Sequence, residues 1–124
     1  MPCFVNFSNH PSTQWAESQL VAARHYGEVL DLPFPDVDPH WDERDVLRLA
    51  EQYANEVLRL HPVAVMCQGE FSLCVAVIQL LQAKGVMVLC ACSERNAEAY
   101  MNDDGSMGKR VSFAFVRFRK YRLF

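Results

Sequence analysis

The sequence has no apolar run approaching the roughly 18–20 residues that a membrane-spanning helix needs, so no membrane segment is expected. Its start, Met1-Pro2-Cys3-Phe4-Val5, lacks the basic region and cleavage site of a secretory signal. A cytoplasmic protein is the simplest expectation. No CxxC pair occurs, and His10, His25, His40 and His61 are scattered without metal-ligand spacing, which argues against a zinc site. The five cysteines are an odd number, and Cys67, Cys74, Cys90 and Cys92 lie in apolar stretches, as buried reduced thiols do. Neither a P-loop nor GxGxxG is present, and no Ser-His-Asp arrangement can be built. No metal and no cofactor are expected.

What is present suits one compact domain over residues 1–124, with 51% apolar and 22% charged residues. The net charge of −3 is uneven. Residues 109–124 hold six of the twelve basic residues and no acidic one, leaving six basic against fifteen acidic residues before them. That segment would suit a phosphate ligand or an acidic partner, or simply one solvated face of a strand. Duplex nucleic acid is not an expected partner, since its binders are more often basic overall.

The organising stretch is residues 63–95. Val63 to Cys67 is a short β-rich run that stops at Gln68-Gly69-Glu70. Ser72 is placed to cap an apolar helix that runs from Leu73 to Leu81, and Lys84-Gly85 closes it. A second apolar strand, Val86 to Cys92, leads into Ser93-Glu94-Arg95. Unalternated apolar strands around a helix form a βαβ unit of a parallel sheet covered on both faces. Before it come a strand at Cys3–Phe7 and a helix capped by Ser12 or Thr13 and ended by Gly27. A strand at Glu28–Leu32, a proline-rich loop at Pro33–Pro39 and a helix over 43–60 capped by Asp42 follow. After Arg95 a short helix is expected over Asn96–Met101, a turn at Asn102–Ser106 and a last strand at Val111–Phe118. In that strand Arg117 falls in the apolar register while Phe118 takes the other face, a slip that a bulge or a strand leaving the sheet would explain. The fold class is therefore α/β: a Rossmann-like doubly wound sheet of about four parallel strands plus a C-terminal edge strand.

Such sheets bind ligands at the carboxyl ends of their strands. Four loops should meet there: Ser8–Ser12, Pro33–Pro39, Gln68–Ser72 and Ser93–Asn96. Ser12 and Ser72 stand at expected helix starts, where backbone amides attract anions. Gly69 would permit close approach of a ligand to the backbone. His10 could donate to a phosphate or move a proton, or be a turn residue bonded to nearby backbone. Glu70 could meet a ribose hydroxyl or merely complement the helix dipole. Arg95 suits a phosphate oxygen pair, or an ion pair with Glu94, Glu98 or Glu70. Trp15 could stack on a base or belong to the core.

Several of these motifs together resemble a known family. They are Asn6-Phe7-Ser8-Asn9-His10, Gln68-Gly69-Glu70-Phe71 before an apolar helix, Ser93-Glu94-Arg95, Asp104-Gly105-Ser106 and the ending Phe115-Val116-Arg117-Phe118-Arg119-Lys120-Tyr121. The pattern is similar to small stand-alone Rossmann-like proteins of type III CRISPR systems, related to the CARF-domain ring nucleases. The resemblance implies binding, and cleavage without a metal, of a cyclic oligoadenylate second messenger. Under it Ser8, Asn9, Ser12, Gln68, Gly69, Phe71, Ser72 and Ser93 would hold the ligand. Arg95 would stabilise the transition state, and His10 or Glu70 would move the proton. A ring of rotational symmetry further implies a homodimer. A sensor or sponge that binds without cleaving, a nucleoside glycosidic-bond enzyme built on Glu70, and a plain interaction domain are the alternatives.

Overall fold

The apolar strands do assemble into one sheet covered on both faces. The computed structural model describes residues 1–123, so the expected domain end at residue 124 lies outside the described residues. Strands β1 (Cys3–Ser8), β2 (Glu28–Pro33), β3 (Ala64–Cys67) and β4 (Met87–Met101) run parallel. Strand β5 (Met107–Lys120) lies antiparallel to β4 at one edge, and the order is β2-β1-β3-β4-β5. Helices α1 (Glu17–Arg24), α2 (Glu43–Arg59) and α3 (Phe71–Ala83) connect the parallel strands.

The two central strands are buried along their whole length because alternate side chains feed different cores. Val5, Phe7, Val65, Cys67 and Val88 join Ala50, Ala54 and Val57 of α2 and Leu73, Val77, Ile78 and Leu81 of α3. On the opposite face Phe4, Met66, Leu89 and Phe118 pack with Ala23 of α1 and with Trp15. The Phe4 ring centre lies 5.1 Å from that of Phe118 and 5.7 Å from that of Tyr26, within the range of favourable aromatic pairs.

The α2 start is as expected: Asp42 accepts from the Arg44 and Asp45 amides, and the Asp45 carboxylate accepts from the Asp42 amide, completing a capping box. The ends of α3 divide. Gly85, at φ +77°, takes the left-handed conformation that closes the helix. Its beginning corrects the expectation. Glu70, not Ser72, is the N-cap, because its longer side chain reaches both the Ser72 and Leu73 amides. The first helix is corrected too. Ser12–Gln14 form a single 3-10 turn, and α1 starts only at Glu17 after an N-cap, Ala16, without a side-chain bond. Ser12 does not cap α1, since its hydroxyl and amide both go to Asp31.

The largest correction lies after Cys92. Asn96–Met101 is strand, not helix, and pairs with Met107–Ser112 across the expected turn. Ser93, Glu94 and Arg95 are therefore ladder residues rather than a loop. Cross-strand pairing outweighs the local helix preference of Ala97, Glu98 and Ala99. The expected slip in β5 is a bulge: Cys92 pairs with Arg117 and Ser93 with Phe115, leaving Val116 unmatched. That extra residue puts Phe113, Phe115 and Phe118 on one face.

Candidate functional site

A cleft of about 490 Å³ opens at the carboxyl edge, where the sheet order reverses between β1 and β3. This is the place that parallel sheets reserve for ligands. One wall is Gln14, Trp15, Ala16 and Gln19, from the 3-10 turn and the start of α1. The opposite side is Phe113, Phe115 and Ser93 of the β4–β5 pair, with Met66, Gln68 and His10 between.

The wall is held by a polar network rooted in β1. Asn6, 1% exposed, donates to the His10 carbonyl (2.8 Å) and to the Asp31 carboxylate (3.0 Å). The buried Ser8 hydroxyl donates to Asn6 Oδ1 at 2.6 Å and accepts from the His10 amide. Trp15 Nε1 donates to the same His10 carbonyl at 3.0 Å. Buried polar groups are costly unless bonded, so the network fixes the His10 loop and the Trp15 ring together. It also commits Ser8 to structure. Ser12 donates its amide and hydroxyl to Asp31 at 3.1 and 3.0 Å, which fills that anion position with the chain's own carboxylate.

The same happens at α3. The Glu70 carboxylate accepts from the Ser72 and Leu73 amides at 2.9 Å each and from the Ser72 hydroxyl. Slight burial raises the Glu70 pKa, but the hydrogen bonds from Ser72 and Leu73 outweigh it and hold the carboxyl below its usual range. Ser72 lines a separate groove between α2 and α3, with Trp41 and Val46. A methyl group on Gly69 would meet the buried Phe34 ring at 2.6 Å, so this glycine admits Phe34 of the proline-rich loop. Phe71 is 88% exposed, and Asn9 is exposed.

Of the sequence-predicted residues, the fold thus brings His10, Gln68 and Ser93 into the cleft, with Ser8 beneath it. Glu70, Phe71 and Ser72 do not line it. Gln68 is oriented by a hydrogen bond that its side-chain oxygen accepts from the Ala91 amide. Arg95 pairs with Phe113 one ladder step outward on the face that carries Ser93. It makes no ion pair among the described residues. Sequence reasoning missed Asn6 and Asp31 as positioning residues, although a polar side chain inside the run Cys3–Phe7 was the available signal. It also missed Gln14 and Gln19, which carry no local signature.

Beneath the cleft floor, Cys67 and Cys74 place their sulfurs 3.6 Å apart, and Tyr121 donates its hydroxyl to the Cys67 carbonyl at 2.8 Å. Hydrogen bonding with Cys74, together with burial, holds the Cys67 thiol well above its usual range. All five cysteines are free. Among the described residues no group of three His, Cys, Asp or Glu side chains is arranged to hold a metal ion. No helix of the described residues is long and apolar enough to cross a membrane.

Chemically the cleft presents aromatic and thioether surface, three carboxamides, a hydroxyl and one imidazole. Among the described residues no carboxylate lines it. Such a surface suits a planar, uncharged heterocycle with hydrogen-bonding edges. No curated protein matches the chain. A family model does match, over residues 2–119. Nearly the whole domain, cleft included, falls within that match, and the chain belongs to the family described as the Uncharacterized protein MJ1673 family.

Proposed function

We propose that the cleft binds a cyclic oligoadenylate, or a closely related small nucleotide, with a base against Trp15 and the Phe113–Phe115 side. The observation that carries this reading is the pairing of that aromatic surface with Gln14, Gln19 and Gln68 at the sheet's switch point. Arg95, the next residue outward on the face that carries Ser93 and Phe115 and without an ion-pair partner among the described residues, is the nearest cation on that face of the ladder for a phosphate. Cleavage would be an in-line attack of a ribose 2′-oxygen on the adjacent phosphorus. The bond to the 5′-oxygen breaks, a 2′,3′-cyclic phosphate forms, and the proton lost by the 2′-hydroxyl is balanced by one gained at the 5′-oxygen. The protein's part in that reaction is alignment and charge stabilisation, with His10 the one titratable side chain among the described residues that line the cleft.

That single titratable group also favours a second reading, a sensor or sponge that binds without turnover, because among the described residues no acid–base pair lines the cleft. The glycosidic-bond reading draws least support, as Glu70 is engaged in the α3 cap. The test is incubation of the purified protein with cyclic tri-, tetra- and hexa-adenylate in excess EDTA, following both binding and products by chromatography. The expected result is selective binding of one ring, weakened about tenfold or more by Trp15→Ala, the loss of one base-stacking contact. Products abolished by His10→Ala would make the protein a ring nuclease, and binding without products a sensor. Failure to bind any ring would overturn the reading.

A further inference from the structure

Four of the five free cysteines fall into two pairs that differ in kind. Cys90 and Cys92 stand two apart on β4 and are half-buried. Positions so spaced on one strand lie roughly 6.6 Å apart with parallel side chains, so no bond joins them unless the strand bends. Cys67 and Cys74 come from different elements, the end of β3 and the first turn of α3, and converge until their sulfurs are 3.6 Å apart. The Cys74 thiol also lies 3.5 Å from the Cys67 carbonyl, which accepts from the Tyr121 hydroxyl at 2.8 Å. Cys3 stands apart, its thiol donating to the Leu60 carbonyl at 3.3 Å.

We propose that Cys67 and Cys74 form a peroxide-responsive dithiol, Cys74 attacking and Cys67 resolving, whose oxidation links β3 to α3 across the Gln68-Gly69-Glu70 turn. Three observations assign the pair and the order. The first is contact. A disulfide needs its sulfurs about 2.05 Å apart, so the two must approach by about 1.5 Å, a change on the scale of side-chain adjustment. The second is that the surroundings of the two sulfurs are unequal. The hydrogen bond from Cys67 is the largest influence on the Cys74 thiol. With Tyr121 and the Gly69 amide it holds Cys74 below its usual range, against burial and the nearby Glu70 carboxylate. Cys74 is thus the nucleophile, and Cys67 keeps its proton. The third is one-sided access. Cys67 is fully buried, whereas Cys74 keeps 7% exposure beside the exposed Gly69 and Glu70, an opening suited to a molecule as small as hydrogen peroxide.

The chemistry balances with hydrogen peroxide as the oxidant. The Cys74 thiolate attacks one peroxide oxygen, the O–O bond breaks, and the departing hydroxide takes up the proton that Cys74 gave away, leaving as water. Cys74 is then a sulfenic acid. The Cys67 sulfur attacks the Cys74 sulfur, the S–O bond breaks, and the leaving hydroxide departs as a second water with the Cys67 proton. Two thiols have lost two electrons and two protons, and one peroxide has become two waters. Cys67 directly precedes Gln68, which lines the cleft. The bridge therefore braces the cleft from behind while using no residue that lines it. The inference stands on the thiol pair and not on the identity of any ligand.

Treatment of the full, reduced chain with hydrogen peroxide under native conditions tests this, the remaining thiols being alkylated after unfolding and mapped by mass spectrometry. The expected result is loss of two of the five thiols while Cys3, Cys90 and Cys92 still alkylate. Proteolysis after Glu70 parts Cys67 from Cys74 in the sequence, so the two fragments should stay joined until a reductant is added. Cys67→Ser should stop the reaction at a sulfenic acid on Cys74, trapped by dimedone, and Cys74→Ser should give no trapped acid at Cys67. A cooperative melt checks that both variants are folded, and the wild-type map decides the bridge without them. Oxidation of Cys90 or Cys92 ahead of the pair overturns the proposal, because exposure alone would then set reactivity. A bridge that forms only in denaturant overturns it as well, and dimedone capture on Cys67 overturns the order of attack.

Discussion

Glu70 is the residue whose replacement says most about the carboxyl edge. Its side chain satisfies two α3 amides, so Glu70→Ala should lower stability by about 1 kcal/mol, the usual worth of an N-cap. The sign with pH follows from its depressed pKa. The contribution is complete above the unfolded value, near 4.5, and is lost as pH falls through the lower folded value. Urea midpoints across that acid range should therefore fall more steeply for the wild type than for Glu70→Gln. Asn6 makes a sharper case. Asn6→Leu removes the bonds to Asp31 and the His10 carbonyl and leaves the buried Ser8 hydroxyl only the longer contact to the His10 carbonyl, at 3.4 Å. The expected cost is about 2–4 kcal/mol, as for breaking a buried polar network. Loosening of the His10 loop should appear as altered Trp15 emission in the folded protein, with Trp41→Phe as the background that isolates it.

The elements show how far residues alone specify this fold. The buried β1 and β3 runs, the Asp42 cap and the register slip in β5 are legible, because each is a local pattern: apolar continuity, a capping residue, a broken alternation; that the slip is a bulge and the cap a full capping box only the structure decides. The α3 cap was not. Serine is the commoner N-cap, and only the geometry of the turn decides that Glu70 reaches the amides first. The stretch Asn96–Met101 was misread for a different reason. Its residues favour helix, and what makes them strand is pairing with Met107–Ser112, a partner across a turn. Part of the candidate site was visible as loop positions, namely His10 and Gln68. Phe113 and Phe115 were not, because the bulge and the hairpin together bring them to the cleft. The loop before α3 offers its own test. Gly69→Ala should destabilise by about 1–3 kcal/mol through overpacking on Phe34. Phe34→Leu should recover part of that loss in the double variant, measured by denaturant unfolding.

Taken whole, the molecule is a parallel sheet with two cores and an outlying ribbon that contributes to neither. Almost every residue from Ser93 to Ala114 is exposed, whereas the core clusters draw on β1, β3, the start of β4 and the end of β5. Excising Arg95–Phe113 and joining Glu94 to Ala114 by Asn-Gly should therefore leave a folded domain, the dipeptide closing a tight hairpin. Its thermal melt should remain cooperative and shift by only a few degrees. Loss of the folded state would show instead that the ribbon is integral to the core. The same shortened chain should keep Phe115 but lose Phe113 from the aromatic side of the cleft, so any ligand affinity that depends on Phe113 should fall with it.

The two carboxylates that sit on backbone amides, Asp31 at the 3-10 turn and Glu70 at α3, have a further consequence. They act as tethered competitors: any free anion must displace a group held beside the amides at a high effective concentration. An anion receptor in this fold is thus present but already answered from within. Vacating it needs no new architecture. Glu70→Gly should open the α3 amides to phosphate or sulfate, seen as anion-dependent thermal stabilisation that the wild type lacks, so that one substitution separates a self-occupied sheet edge from an anion-responsive one.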